Sequence, residues 1–439
     1  MSIFRSTCVA ALGVLTCAGS ASAQDSRRSL DLTVGGVGIS IGDSRRVNGL
    51  RINYRDSRLD EVNGINATIW TPYRRGHGDI TGLSLGLPAT GGRDVRGLLV
   101  AGLGAEVTDR FSGIGVSGLG MGVGGDATGI IIGGLGAGVG GSMSGALIGG
   151  FGAGVGGDID GLAIGGLGFG VGGRATGILI GGLGAGIGGD FRGIALGGLG
   201  FGAGGRFEGI MIAGLGAAAG GGGTGVLIGG LGAGVGSDFE GLFVAGLGGG
   251  FGGRVRGIAI TGMGMGVGGA FSGLSVAGIG GGVGGSASGV MVNGIGMGVG
   301  GDATGIFING IGMGAGGRIS FLTINGFGVG APQIHGAGFA GGVIGTPHAK
   351  GFMAAGVWLR VREEEGDRRE RFRRSGGALL EGVGVSAFTQ VKGHQKGLTI
   401  GLVNYAWTLQ GVQLGLLNIV RDNPPGRKIL PVVNWGSNR

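Results

Sequence analysis

A 16-residue repeat runs without a single insertion from Gly97 to about His335, and it constrains the fold more than any other feature. One copy reads GILIGGLGAGIGGDFR (residues 177–192), and the next reads GIALGGLGFGAGGRFE (residues 193–208). Fifteen copies follow one another in this way. A short, strict period indicates a repeat architecture in which every copy is one structural unit stacked on its neighbours.

Glycine is the commonest residue and supplies 126 of the 439 positions, whereas proline supplies only 7. There is no Gly-X-Y register, so a collagen triple helix is excluded. Gly-rich chains that stay disordered lack apolar residues. Here hydrophobic residues make up 42% of the chain and recur at fixed places in the repeat, which predicts an ordered fold.

The pattern within one repeat predicts two β-strands. Numbered from the leading glycine, apolar residues occupy positions 2 and 4 and then positions 7, 9 and 11. Side chains on a strand alternate between its two faces, so both sets face one core only if the chain turns between them. We therefore expect a corner at positions 5 and 6, where Asn293-Gly294, Asn309-Gly310 and Asn325-Gly326 are typical turn dipeptides. The second corner spans positions 12 to 16.

Two strands and two corners in 16 residues predict one coil of a β-solenoid, in which coils stack in parallel. Position 15 is often apolar, as at Phe191 and Phe207, and is expected to fill the core at the second corner. Position 14 places opposite charges on successive coils, for example Asp158 and Arg174. Position 9 alternates between small and large residues, which lets stacked layers interdigitate.

An antiparallel up-and-down β-barrel of the outer membrane is the alternative fold, because a 32-residue period also fits a β-hairpin. Each repeat would then be one strand. Such a barrel needs an apolar outer face, a polar lumen and aromatic girdles. Neither face of the repeat is polar along its length, and the chain has only 3 Tyr and 4 Trp. The solenoid is therefore the favoured prediction.

The first residues resemble a secretory signal peptide, residues 1–23, with Arg5 before a short apolar stretch and a small-residue cleavage site before Gln24. Cys17 leaves lipidation open as an alternative to simple cleavage. We expect an N-terminal cap with irregular repeats over 24–96, the fifteen regular repeats over 97–335, and irregular repeats over 336–439.

The net charge of +8 is concentrated near the C-terminus, where residues 350–439 contain 14 basic and 7 acidic residues. A charged insertion, RVREEEGDRRERFRR, occupies 360–374 and follows a predicted strand. It fits either a solvated loop whose acidic and basic residues neutralise each other or a contact for an acidic partner or lipid headgroups. The candidate contact residues are Arg360, Arg362, Arg368, Arg369, Arg371, Arg373 and Arg374.

The residues that carry enzymatic chemistry form no recognisable constellation. The chain's 4 histidines lack ligand spacing, and no nucleophile–base set or catalytic carboxylate pair stands out. Gly-x-Gly-x-x-Gly matches are expected by chance in so glycine-rich a chain. We predict no catalytic residues, no cofactor-binding residues and no metal site, and we predict that the protein is not an enzyme. The repeats have no basic face with aromatic residues, so nucleic acid is not an expected partner.

Two segments outside the regular repeats carry a family resemblance. The opening RVNGLRINYRDSRLDEVNGINATIW (46–70) and the tail GLTIGLVNYAWTLQGVQLGLLNIVRDNPPGRKILPVVNW (397–435) resemble the bacterial "surface repeat" proteins. This is an uncharacterised envelope family that includes spirochaete lipoproteins. The resemblance implies export and a cell-surface or envelope location, and it implies no known activity.

These observations predict a non-enzymatic, exported structural or adhesive repeat protein of a bacterial envelope. Its expected location is the periplasm, the outer membrane or the cell surface. Envelope components, an acidic surface partner and self-association are the candidate partners. An integral outer-membrane barrel that acts as a pore or an anchor is the alternative function, and it depends on the alternative fold.

Overall fold

The computed structural model describes residues 29–34, 37–70, 78–363 and 377–436 and consists of β-strands and turns. The expected signal peptide, with Cys17, and residues 364–374 of the charged insertion lie outside these residues. Within the same ranges, no helix has the length and apolar character that crossing a bilayer would require.

The chain divides into two compact units, Met1–Phe207 and Glu208–Arg439. In each unit, successive repeats pair in parallel with a register of one repeat. In the first unit, for example, Gly161 pairs with Gly177. In the second, Gly241 pairs with Gly257. The predicted β-solenoid is therefore confirmed for each unit. The alternative prediction, in which neighbouring repeats run antiparallel, is wrong.

The strand bounds follow the repeat closely. The strands before residue 207 are β1 (Ser29–Val34), β2 (Val37–Gly42), β3 (Arg46–Asn53), β4 (Glu61–Thr68), β5 (Asp79–Gly86), β6 (Ala89–Gly92), β7 (Val95–Ala101), β8 (Gly104–Val107), β9 (Phe111–Ser117), β10 (Gly120–Val123), β11 (Ala127–Gly133), β12 (Gly136–Val139), β13 (Met143–Gly149), β14 (Gly152–Val155), β15 (Ile159–Gly165), β16 (Gly168–Val171), β17 (Ala175–Gly181), β18 (Gly184–Ile187), β19 (Phe191–Gly197) and β20 (Gly200–Ala203).

The strands from residue 207 onward continue the same alternation. They are β21 (Phe207–Ala213), β22 (Gly216–Ala219), β23 (Gly223–Gly229), β24 (Gly232–Val235), β25 (Phe239–Ala245), β26 (Gly248–Phe251), β27 (Val255–Thr261), β28 (Gly264–Val267), β29 (Phe271–Ala277), β30 (Gly280–Val283), β31 (Ala287–Asn293), β32 (Gly296–Val299), β33 (Ala303–Asn309), β34 (Gly312–Ala315), β35 (Arg318–Asn325), β36 (Gly328–Gly330), β37 (Gln333–Ala340), β38 (Val343–Thr346), β39 (His348–Ala355), β40 (Trp358–Val361), β41 (Ala378–Val385), β42 (Phe388–Val420) and β43 (Ile429–Gly436).

Each regular coil has one long and one short strand. The long strand runs from position 15 of one repeat to position 5 of the next, and the short strand covers positions 8 to 11. The turn between them occupies positions 6 and 7, and its backbone groups bond to the next coil. The N–H of Leu119, for example, donates to the carbonyl of Leu103 at 2.7 Å. The stacking of coils thus provides hydrogen-bond partners for the backbone groups of the turns as well as for those of the strands.

The prediction of which positions face the core is wrong for positions 2, 4 and 7. Positions 3, 5 and 15 of the long strand point inward and meet positions 9 and 11 of the short strand. Leu179, at position 3, is fully buried, whereas Ile178 beside it is 45% exposed. The expected corner at positions 5 and 6 lies one residue later, because position 5 completes the long strand. That shift points the β-branched residues outward.

Core packing explains why the strand adopts this phase. Position 3 and position 9 face each other, and in eleven of the fifteen repeats a large residue on one side meets a small residue on the other. A methyl group on Gly115 would lie 2.5 Å from the Sδ of Met121, and one on Gly249 would lie 2.3 Å from the ring of Phe243. Position 15 also fills the core as predicted, since Phe191 is 2% exposed. The two walls therefore have complementary volumes.

The leading glycine of each repeat has a backbone conformation that other residues rarely adopt. Gly177 has a φ of 119°, and a methyl group on it would lie 2.0 Å from the carbonyl oxygen of Gly161 on the previous coil. The exception in the array is Phe321, which holds a φ of 89° and is 67% exposed. Repetition of this glycine is therefore a backbone requirement, and Phe321 violates it.

The late Asn-Gly dipeptides do not form the turn that the sequence predicts. Asn293, Asn309 and Asn325 end their strands with buried side chains. Their amides stack in a ladder, in which Asn293 donates to Asn309 and Asn309 donates to Asn325, both at 3.0 Å. Amide ladders of this kind satisfy buried polar groups coil by coil.

The second corner carries the predicted vertical charge pairs. The guanidinium of Arg174 lies 3.3 Å from the carboxylate of Asp158 one coil earlier, and Arg254 and Asp238 repeat this geometry. The carboxylate of Asp158 also accepts the backbone N–H of Arg174 at 2.7 Å. That backbone hydrogen bond holds the pKa of Asp158 below its ordinary value. An aspartate of this corner therefore bonds to the backbone of the next coil as well as to the charged side chain there.

An antiparallel hairpin lies at each end of the described chain. β1 pairs antiparallel with β2, and β42 pairs antiparallel with β43. Near the first hairpin, the fully buried Arg51 bonds to Asp43 at 3.0 Å, to Asn66 at 2.9 Å and also to Asp56. The core of these first coils is therefore polar, and in this respect this end of the first unit differs from the regular repeats.

Candidate functional site

Aliphatic side chains line the outer side of the long strands. We call positions 2 and 4 of the repeats the aliphatic face. None of these side chains is buried, although all are apolar. In the first unit, the most exposed of these side chains have 37% to 46% of their surface exposed, and they are Leu98, Val100, Ile114, Ile130, Ile178, Ile194 and Leu196. Those of the second unit, at 36% to 42%, are Ile210, Ile258, Ile260, Leu274, Val276, Ile308 and Ile324.

A further apolar column lies at the turn that follows the long strand. Position 7 is Leu, Met, Ile or Phe in all fifteen repeats, and its exposure ranges from 44% at Ile279 to 62% at Phe327. The hydrogen bonds of the turn fix the backbone, so these side chains project from every coil in the same direction. Together with the aliphatic face they form a continuous apolar surface within each unit.

This apolar surface is larger than the fold alone explains. The biggest exposed apolar patch of a typical monomer covers about 300–600 Å². Positions 1 to 5 of the seven regular long strands of either unit, each about 17 Å long and about 4.8 Å from the next, present about 550 Å² of sheet, and the position 7 column adds to it. Surfaces of this size and character mark interaction sites.

The outer side of the short strands is nearly bare. We call positions 8 and 10 the glycine strip, since position 8 is Gly in all fifteen repeats and position 10 is Gly in thirteen. Glu106 and Ala218 are the two exceptions at position 10. A shallow open groove of about 490 Å³ lies along one edge of the strip in the first unit. Positions 10 to 12 of successive coils line it, with Glu106 at position 10 beside Gly122, Gly138 and Gly154. This side of the repeat therefore presents backbone rather than side chains.

Nothing inside the chain requires glycine at position 10. A methyl group built on Gly138, Gly170, Gly266 or Gly282 would meet no atom within 4 Å. These glycines also lack the positive φ of the leading glycine. Glycine in a strand costs about 0.5–1 kcal/mol relative to alanine, so its repetition here lacks an internal reason. Glycine in a strand interior is typical of places where another backbone or a ligand approaches closely.

The structure describes two of the seven candidate contact arginines. The guanidinium of Arg360 lies 5.1 Å from the ring centroid of Trp358, and the N–H of Arg362 donates to the carbonyl of Thr346 at 3.2 Å. The other five, Arg368, Arg369, Arg371, Arg373 and Arg374, lie outside the described residues. Contact with an acidic partner therefore stays a prediction.

Metal ions in proteins are held by groups of His, Cys, Asp and Glu side chains. Within residues 29–34, 37–70, 78–363 and 377–436, no three His, Cys, Asp or Glu side chains lie together so that they would hold a metal ion. The aliphatic face and the glycine strip are regular, extended and almost free of charge. Such surfaces bind by shape and apolar contact rather than by polar recognition.

The sequence contains a signal for these surfaces that the alternation pattern alone misses. Ala163 and Ala195, at position 3, occur in the repeats that have Phe169 and Phe201 at position 9. Eleven of the fifteen repeats pair a large residue with a small one in this way, as at Leu179 and Ala185, whereas Met291 with Met297 and Phe307 with Met313 are exceptions. This inverse relation identifies positions 3 and 9 as core partners and would have assigned positions 2 and 4 to the outside.

Comparison with known proteins gives no match to a family model, a curated protein or a solved structure. The resemblance to the "surface repeat" proteins therefore stays a prediction from the sequence.

Proposed function

We propose that this chain is a non-enzymatic, exported structural or adhesive repeat protein of a bacterial envelope, and that it binds through the aliphatic face. The single observation that carries the proposal is the outward direction of positions 2 and 4. Ile178 is 45% exposed and Leu179 is fully buried, and the same contrast recurs along both units.

The energetics of an exposed aliphatic column favour attachment. Covering a fully exposed Ile or Leu contributes about 1.5–3 kcal/mol, so a side chain that is already partly covered contributes roughly 1 kcal/mol. Many such contributions add along a rigid, regular surface, where little conformational entropy is lost on binding. An extended surface of weak, equal contacts suits attachment better than recognition of one small ligand.

Support for export comes from the sequence. Residues 1–23 have the charge, apolar stretch and cleavage site of a signal peptide, and the rest of the chain has no cysteine. A chain that folds without thiols or disulfides tolerates any redox compartment. The envelope location rests on these features and on the family resemblance.

Charge placed on the aliphatic face tests the adhesive role. The variant Ile130→Lys, Ile178→Lys, Leu274→Lys changes outward side chains that are 39%, 45% and 37% exposed. We expect binding of the purified chain to an alkyl-coated sensor to fall by about tenfold or more, because each lysine removes apolar contact and brings a charge to the surface. The readout is the mass bound in a quartz-microbalance measurement.

The matched control places the same charges two residues earlier on the same strands, as Thr128→Lys, Thr176→Lys, Ser272→Lys. These side chains belong to position 16, which is also outward and exposed but polar. We expect the control to bind as the parent does. Equal losses in both variants, or no loss in either, would remove the aliphatic face from the proposal.

A further inference from the structure

We propose that the glycine strip is a docking surface for a second copy of this chain, and that its occupant is the aliphatic face of that copy. This inference rests on the proposed binding role of the aliphatic face. It begins from the glycines at position 10, which cost stability and have neither a φ nor a steric reason within the chain.

The two surfaces have the same period. Both are built from parallel coils paired in register, so their columns repeat at about 4.8 Å along each unit. An aliphatic side chain of one copy therefore meets a side-chain-free backbone position on every regular coil of the other except those of Glu106 and Ala218. Few other partners would present apolar groups at this spacing over many coils.

The shapes of the surfaces are complementary. The aliphatic face projects two columns of branched side chains, and the strip lacks side chains over a strand of four residues that is about 13 Å wide. In the first unit, an open groove of about 490 Å³ runs along one edge of the strip, and Glu106 lines it together with Gly122, Gly138 and Gly154. A β-branched side chain lying on a glycine strand gains close dispersion contacts that a second side chain would prevent.

The charges agree with this pairing. Every residue at positions 2 and 4 is apolar, and Glu106 is the one charged residue at positions 8 and 10 of the regular repeats. Charges lie instead at position 16 and at position 14, for example Arg192 and Asp190, which would border the contact. An apolar centre with a polar rim is the usual composition of a protein interface.

The strip of a single unit supplies more than half of the area that a stable interface buries. Seven regular short strands in either unit give a strip of about 34 Å by about 13 Å, or about 450 Å². That is somewhat more than half of the roughly 800 Å² per partner that a stable interface buries, and each unit has such a strip. Because the contact joins different surfaces of the two copies, each added copy leaves one of each surface free, and assembly is open-ended.

Filling the strip tests the inference without disturbing the fold. The strip variant is Gly170→Gln, Gly266→Gln, Gly282→Gln, at positions where a methyl group meets open space. We expect the full chain to self-associate in sedimentation velocity and the strip variant to associate at least about tenfold more weakly, because the new side chains hold the second copy away. Its melting temperature should not fall.

The matched control is Ser142→Gln, Ala270→Gln, Ser286→Gln, which adds the same side chain at position 14, on the charged corner. It should associate as the parent does. If the strip variant melts lower than the parent, the alanine set Gly170→Ala, Gly266→Ala, Gly282→Ala replaces it. We expect the alanine set to keep the fold and to weaken association several-fold.

Mixing two variants identifies the occupant. A chain with the lysine-substituted aliphatic face, Ile130→Lys, Ile178→Lys, Leu274→Lys, keeps its strip, and the strip variant keeps its aliphatic face. Each alone should remain monomeric, and an equimolar mixture should form dimers and stop there. Self-association of the lysine variant alone would show strip-to-strip contact and would overturn the proposal.

Three other results would also overturn the inference: a parent that stays monomeric, a strip variant or alanine set that associates as the parent does, and a control that is weakened equally. The adhesive role has a separate readout, since the monomeric strip variant should still bind the alkyl-coated sensor. Loss of that binding would contradict the proposed function, whereas retained binding with unchanged self-association would contradict the docking surface alone.

Discussion

Glycine has two different roles at the residue scale. The leading glycine is required by the backbone, because Gly177 has a φ of 119° and its α-hydrogen side faces the carbonyl of the previous coil. Gly170 on the strip has no such requirement. The sequence shows both as equally regular, so composition and periodicity cannot separate them. The φ angle and the free space around each Cα distinguish the two roles.

Phe321 allows the backbone requirement to be tested in both directions. Phe321→Gly should raise the free energy of unfolding by about 1 kcal/mol, because glycine relieves a strained φ. Gly177→Ala should lower it by about 3 kcal/mol, since alanine meets both the strained φ and the carbonyl of Gly161. Urea titration followed by circular dichroism measures both.

The matched control for this pair is Gly170→Ala, where the added methyl group meets open space. It should leave the free energy of unfolding unchanged or raise it by up to about 1 kcal/mol. A loss as large as that of Gly177→Ala would mean that the two glycines are not different in kind.

The coil is the element that the sequence predicts best. A period of 16 residues, alternating apolar residues and glycine-rich corners predict parallel stacking, which both units confirm. The facing of each strand was not predictable from apolarity, since positions 2 and 4 are the more β-branched and positions 3 and 9 the more variable. At positions 3 and 9 the size of the residue varies, and in eleven of the fifteen repeats a large residue on one wall compensates for a small one on the other. At the outward positions 2 and 4 every residue is apolar.

The amide ladder at position 5 gives a prediction for the same element. Asn309 accepts from Asn293 and donates to Asn325, and all three are buried. Asn309→Ala should lower the free energy of unfolding by about 2 kcal/mol, because it leaves a buried donor and a buried acceptor without partners. Urea titration measures the loss.

The triple variant Asn293→Ala, Asn309→Ala, Asn325→Ala is the comparison. It removes the partners together, so its loss should be well below three times that of the single variant. Other repeats carry Gly or Ala at this position, which shows that a coil folds without the amide. Additive losses would indicate that the ladder bonds are independent.

At the scale of the whole molecule, the proposed function depends on which surfaces of the repeats are exposed. Each unit presents an apolar face on its long strands and a side-chain-free strip on its short strands, and the corners carry the charge. The sequence predicts a structural or adhesive role from the absence of chemical motifs. The surfaces through which that role would operate depend on strand phase, which a shift of one residue reverses.

Thiol labelling at two adjacent residues tests this strand phase most directly. With Cys8 and Cys17 replaced by serine, Ile178→Cys and Leu179→Cys each carry one reactive thiol. The account predicts that Ile178→Cys reacts within about tenfold of its rate in the unfolded chain and that Leu179→Cys reacts more than about a thousandfold more slowly. Protection of Ile178→Cys together with rapid labelling of Leu179→Cys would contradict it.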